Sequence, residues 1–254
     1  MAKKKKSAVK ILLINLLILT IAGVATYYIS DYFNKPRFVR YDGFDIDLPI
    51  SYSIHGIDVS HHQSSINWED VKAMKDKNVK IGFAIIKATE GNSMVDDKFR
   101  INWLQAKLAG MPKGAYHFFN PGRSGKAQAE NFINTITLQK GDLPPVLDVE
   151  TINGTSKKDL QQRVLEWLKI VEQYYKVKPI IYTNAVFYET YLAEVCADYP
   201  LWVAHYLVKD KPRISRNWLM WQHSESGHVN GINGYVDFNA FNGDSSDFKK
   251  LLLK

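Results

Sequence analysis

The chain has 254 residues, 46% hydrophobic and 13% aromatic, enough to bury one sizeable core as a single α/β domain. Its net charge of +7 rests largely on Lys3, Lys4, Lys5, Lys6 and Lys10; the other residues hold 28 basic against 26 acidic side chains, which leaves no basic stripe for nucleic acid. The lone cysteine, Cys196, excludes an intramolecular disulfide, and its position far from the N-terminus excludes a lipoprotein anchor.

In chain order, the lysine cluster precedes residues 11–29, ILLINLLILTIAGVATYYI, which carry no charge. About 20 apolar residues span a bilayer as a helix, and the lysines hold the N-terminal side in the cytoplasm. The run predicts a transmembrane signal anchor over 1–30, with the remainder outside the cytoplasm. Gly23 and Ala25 also fit the small residues before a signal-peptide cleavage site, so secretion after cleavage near Ala25 is the alternative. Residues 31–54 have no clear period and read as a linker to a domain over 55–254.

From His55 onward short apolar strands alternate with helical patterns. HGIDVS (55–60) precedes a helix capped by Asn67, with Glu69 and Asp70 in its first turn, where they complement the helix dipole. IGFAIIKAT (81–89) reads as a buried strand, followed by a helix over about 97–110. GAYHFF (114–119) precedes a helix capped by Ser124, and PVLDVE (145–150) one capped by Ser156. That last helix carries Leu160, Val164, Trp167, Leu168 and Val171 at helical spacing. PIIYTN (179–184) and a helix to about 195 follow. LWVAHY (201–206), WLMWQ (218–222) and GYVDFN (234–239) then leave little room for helices. Strands separated by helices argue for a parallel sheet. Eight strand candidates predict a closed, irregular TIM-like (β/α) barrel with helices missing near the C-terminal strands. An open doubly wound sheet is the alternative, but GRSG (122–125) lacks both phosphate-binding glycine spacings.

In PPVLDVE (144–150), side chains alternate, so Asp148 and Glu150 share one face. Barrel chemistry collects at the C-terminal mouth. Two carboxylates this close raise one pKa by repulsion, and a carboxyl kept protonated can serve a leaving oxygen. A solvated strand end is the other reading of this stretch. Asp58 lies late in the first strand and Asp237 late in the last. First and last strands are neighbours in a closed barrel, so these acids are expected to meet at one mouth. Tyr116 and Phe118 share a parity, as do Trp202 and Tyr206; Tyr182, Trp221 and Gln222 fall late in their strands. Aromatic faces with an amide suit the C–H faces and hydroxyls of a sugar chain, although strand aromatics also serve as core. His61, His62, His117 and His205 have no zinc-binding spacing, so no metal or other cofactor is expected. Ser60 and Ser64 lack a nucleophile elbow.

GIDVSHHQSSINW, FAIIKATEG, GAYHFF, PPVLDVE, IIYTN, LWVAHY, LMWQHS and GINGYVDFNAF, in that order over about 55–241, resemble glycoside hydrolase family 25. These are N-acetylmuramidases of the bacterial and phage lysozyme type. The resemblance implies a flattened, irregular α/β barrel and retaining hydrolysis of the β-1,4 bond between N-acetylmuramic acid and N-acetylglucosamine in peptidoglycan. It implies Glu150 as general acid/base, Asp148 as its partner, and Asp58 and Asp237 in the site floor beside Tyr116. Substrate assistance, with Asp148 orienting the 2-acetamido group, is the expected route, and Asp58 as a nucleophile is its rival. The partners expected are glycan strands and, through the N-terminal helix, a membrane; the chain is expected to be a monomer. A non-hydrolytic glycan-binding protein and a chitinase-like hydrolase are the alternatives.

Overall fold

The structure, a computed structural model, describes residues 2–34, 37–208 and 210–254, without the side chains of 2–12 and 31–34. The side chains of the lysine cluster, and Lys35 and Pro36 of the expected linker, lie outside the described residues. The chain divides into two units, Met1–Arg37 and Phe38–Lys254.

The first unit is one helix, α1 (Ala2–Asn34). Its stretch Leu13–Ser30 has a mean hydropathy of 1.8 and is long and apolar enough to cross a membrane. Thr20 and Thr26 donate their hydroxyls to the carbonyls of Leu16 and Ala22, each at 2.8 Å. Both hydroxyls are thus satisfied within the helix, as an apolar surrounding requires.

The second unit opens with a hairpin, β1 (Phe38–Tyr41) and β2 (Ile46–Pro49), paired antiparallel. This segment falls within the expected linker, yet it is folded onto the domain. Tyr41, Phe44, Ile46 and Leu48 are buried, and the Phe44 ring lies 5.3 Å from that of Phe238. Phe44, Ile46 and Leu48 alternate with Asp45 and Asp47, the period of a half-buried strand.

The barrel strands are β3 (His55–Val59), β5 (Val79–Glu90), β7 (Lys113–Phe118), β8 (Val146–Asp148), β9 (Ile180–Asn184), β10 (Leu201–Ala204), β11 (Met220–Gly227) and β12 (Val236–Phe241). They pair in the order β3-β12-β11-β10-β9-β8-β7-β5, and β5 returns to β3 to close the ring. Two short strands, β4 (Lys75–Asp76) and β6 (Met94–Val95), decorate β5. The barrel helices are α2 (Trp68–Ala73), α3 (Phe99–Leu108), α4 (Gly125–Thr135) and α5 (Lys157–Tyr175). Asn67, Ser124 and Ser156 cap α2, α4 and α5 by accepting backbone N–H groups, which satisfies donors the helix cannot. After β9 come α6 (Ala185–Phe187) and a π-helical turn over Tyr188–Leu192, where one longer helix was predicted. Among the described residues, no helix separates β10, β11 and β12.

Seven strands run parallel; β12 runs antiparallel to both neighbours, whereas an all-parallel sheet was predicted. The segment between β11 and β12 is too short for a crossover helix, so the chain turns back as a hairpin would. This corrects the placement of Asp237. It is the second residue of β12, not a late one, and reaches the same mouth because its strand enters from that end.

Two apolar layers follow from strand alternation. Leu147, Val149, Leu201 and Val203 face outward against Leu160, Val164, Trp167 and Leu168 of α5 and its neighbours. Phe83, Ile85, Val146, Ile180, Trp202 and Met220 fill the interior. α7 (Ser245–Leu251) closes the end opposite the mouth: Phe248 stacks near Phe83 and Phe241, at 5.5 and 5.2 Å. Gly56 makes room for Phe83, since a Cβ there would stand 2.5 Å from that ring.

Phe44→Ala should destabilise the domain by about 3–5 kcal/mol, the cost of a buried phenyl group, measured by urea unfolding. A change under about 0.5 kcal/mol would show that the hairpin is a dispensable flap.

Candidate active site

The mouth holds a cavity lined by Asp58, Ser60, His62, Lys87, Tyr116, Phe118, Asp148, Glu150, Tyr182, Trp202, Tyr206, Gln222, Glu225 and Asp237. All four acids singled out from the sequence meet there. Of the expected sugar-contacting residues, Tyr116, Phe118, Tyr182, Trp202, Tyr206 and Gln222 line it, and Trp221 does not. Trp221 follows Met220, which faces the interior, so alternation sends it outward. It is buried beside Phe38 and Tyr52, and its indole N–H donates to the His205 carbonyl at 2.9 Å. Trp221 and Gln222 are adjacent and cannot both face the cavity.

Asp58 is the most firmly held acid. Its Oδ2 accepts N–H bonds from Gln222 Nε2 at 2.9 Å and Asn239 Nδ2 at 2.7 Å. Neither amide is free to flip. Tyr182 donates to Gln222 Oε1 at 2.7 Å, and Tyr206 donates to the same oxygen. Trp202 Nε1, which can only donate, binds Asn239 Oδ1 at 2.8 Å. Asp237 stands directly opposite Asp58 in the β3–β12 ladder, so the two carboxyls titrate together as a pair. Burial pushes both pKa values up; the two amide donors favour charge on Asp58, and the Asp58 charge then drives the proton onto Asp237.

The second pair is Asp148 and Glu150. Asp148 is buried and Glu150 is exposed. Burial raises both, and Glu150 raises Asp148 further. Asp148 is raised further than Glu150, so it is the member of the pair that holds a proton more readily. Asp148 Oδ1 is buried and has no hydrogen-bond partner among the described residues. Burial also keeps Tyr116 and Tyr182 as phenols, so they act as hydrogen-bond donors.

Three contributors, Lys87, Asn239 and Glu225, were not singled out from the sequence, and His62 was weighed only as a metal ligand. Lys87 sits inside an apolar run, and that isolated charge was its signal. Asn239 shares a parity with Asp237 but was read only as a strand end. His62 and Glu225 lie on turns and rims, where periodicity says nothing. His117 lies behind the wall: Nε2 donates to Gln128 Oε1 at 3.2 Å and Nδ1 accepts from Thr89 at 2.7 Å, and burial lowers its pKa to about 3. His61, Asp96 and Asp97 bring potential ligand atoms within 4.8 Å of one another. Asp96 is already committed, however: its carboxylate accepts from His61 N, His61 Nδ1 and Lys98 N, which makes it the latch of a turn.

The sequence profile of glycosyl hydrolases family 25 matches residues 57–232. YegX of Escherichia coli K12 is 47% identical over 224 residues, covering 88% of this chain and 82% of that protein. Lysozyme M1 of Streptomyces globisporus is 38% identical, covering 76% and 69%. A family 25 glycosyl hydrolase structure from Bacillus anthracis superposes with a TM-score of 0.73 at 32% identity, covering 80% of this chain and 95% of that one. The lysozyme structure from Streptomyces coelicolor gives 0.71 at 35%, covering 79% and 97%.

The folded chain retains protons on these pairs that an unfolded chain releases above about pH 4. More protons bound when folded means that stability falls as pH rises from about 4 through the raised values. Asp237→Asn removes one such group, so its melting temperature should gain on the wild type between pH 5 and pH 9. Parallel melting curves across that range would contradict the paired titration.

Proposed function

Because the chain belongs to glycosyl hydrolases family 25 and is a glycoside hydrolase, we propose that it cleaves the β-1,4 bond between N-acetylmuramic acid and N-acetylglucosamine in peptidoglycan, with retention. The carrying observation is the convergence of two carboxyl pairs in one aromatic-lined cavity. A sugar seated on Tyr116, Tyr182 and Tyr206 strips water from Glu150 and draws a proton from Asp148 to it. Asp148, now anionic, accepts the N–H of the 2-acetamido group through its unpartnered Oδ1. The acetamido oxygen attacks C1 and the glycosidic C1–O bond breaks. Glu150 passes its proton to the leaving oxygen. The ionised Glu150 then takes a proton from water, whose oxygen attacks C1 from the vacated side. That opens the cyclic intermediate and restores the starting configuration.

A second reading rests on Asp58, whose carboxylate is held ionised by two amide donors: direct attack on C1 to give a covalent glycosyl ester. A retaining nucleophile stands about 5–5.5 Å from the acid. In both readings α1 anchors the enzyme, with the lysine cluster on the cytoplasmic side and the barrel outside. Cleavage of α1 as a signal would give a secreted form of the same enzyme.

Glu150→Gln should abolish release of reducing-end muramic acid from purified peptidoglycan, by at least about 1000-fold, while pull-down on the same material persists. Normal release would remove Glu150 from its role. Products ending in N-acetylglucosamine, or cleavage of chitin oligomers alone, would assign a different bond. Mass spectrometry with a slow fluorinated sugar substrate should leave Asp58 and Asp148 unmodified; a sugar adduct on Asp58 selects the nucleophile reading.

A further inference from the structure

Lys87 is the one lysine or arginine among the described residues that line the cavity, and nothing above gives it work. It arises from β5, where Lys87 pairs with Tyr116 of β7; on the next strand, β8, Asp148 pairs with Phe118. Two strand spacings and a two-residue offset along the strand, about 12 Å in all, separate the backbones of Lys87 and Asp148. The side chain is only 11% exposed, and a buried ammonium needs fixed partners. It has two: Glu90 Oε2 at 2.7 Å, and the face of Phe118 with Nζ 4.9 Å from its centroid. Glu90 is itself one-third exposed and makes no other ion pair among the described residues. The ammonium is therefore clamped beside the acids and cannot swing into solvent.

The chemistry proposed above needs one proton on the Asp148–Glu150 pair. With two, no acceptor remains for the acetamido N–H; with none, the leaving oxygen has no acid. Burial alone favours filling both carboxyls. We propose that Lys87, clamped by Glu90 and Phe118, is a positioning residue that holds the Asp148–Glu150 pair at one proton. This rests on the assignment of that pair as the acid machinery. Lys87 opposes burial at both carboxyls, drawing both pKa values down. Glu90 attenuates that pull by neutralising part of the charge.

Other ionisable groups also face this space. Asp58 and then His62 come from β3 and its turn, Tyr116 from β7, Tyr182 from β9, Tyr206 from just after β10, Glu225 from β11 and Asp237 from β12; His117 lies behind, buried against Thr89 and Gln128. Their charges are common to every variant below, so displacements between variants report the Lys87–Glu90 couple.

The test is the pH profile of kcat/KM for reducing-end release from peptidoglycan between pH 4 and 9. Lys87→Met removes a positive charge, so both limbs should move to higher pH by about half a unit or more. Lys87→Arg should restore the wild-type profile. Glu90→Gln unmasks the ammonium, so both limbs should move to lower pH. The double variant should return near the wild type. Limbs unmoved, or moved the same way in both single variants, would overturn the proposal whatever happens to the absolute rate. If Lys87→Met does not fold, the direction of Glu90→Gln decides alone, because Glu90 sits at the surface of the pair. A wild type that releases no reducing ends at any pH refutes the muramidase reading instead.

Discussion

The site depends on one hydrogen-bonded knot: Asp58 Oδ2 between the amides of Gln222 and Asn239. Each amide is locked from behind, by Tyr182 and Tyr206 on one side and Trp202 on the other. The knot joins β3, β9, β10, β11 and β12. It is buried, where a polar network holds a unique arrangement only if every member is satisfied. Here every amide hydrogen bond has a single sensible direction, because phenols and an indole N–H supply the donors. Asp58 is thereby held as an anion, and Asp237 becomes the carboxyl that takes the proton.

Two pairs with opposite division of labour result. In one, fixed donors favour the anion; in the other, shallower depth favours it, since Asp148 is more deeply buried than Glu150. In the proposed mechanism the Asp148–Glu150 pair responds to a sugar that excludes water, so that binding triggers proton relocation. A site of four interchangeable acids would have no such order.

Much of this was legible because it is local. Strand alternation placed Asp148 with Glu150, and Tyr116 with Phe118, on the interior face without any knowledge of neighbours. Caps at Asn67, Ser124 and Ser156 were equally local. What failed was long-range. The direction of β12 is set by pairing with β3 and β11, so Asp237 was read at the wrong end of its strand and still reached the right place. Trp221 was drawn in by being aromatic, against the parity that Gln222 had already used. The hairpin over Phe38–Pro49 escaped because its strands have four residues each and pack on an element, β12, nearly two hundred residues later. Lys87 escaped for a different reason: a charge in an apolar run was passed over as part of the strand.

The ladder of β3 with β12 has a temporal side. Asp58 and Asn239, bonded at 2.7 Å, are 181 residues apart in the chain, and the seam between their strands closes the ring. A ribosome must therefore deliver nearly the whole polypeptide before any hydrolytic centre exists. Partial translation products, and fragments clipped ahead of β12, carry Asp148 and Glu150 but no organised anion beside them. On the proposed reading of the site, topology alone withholds wall cutting from every copy that lacks β12.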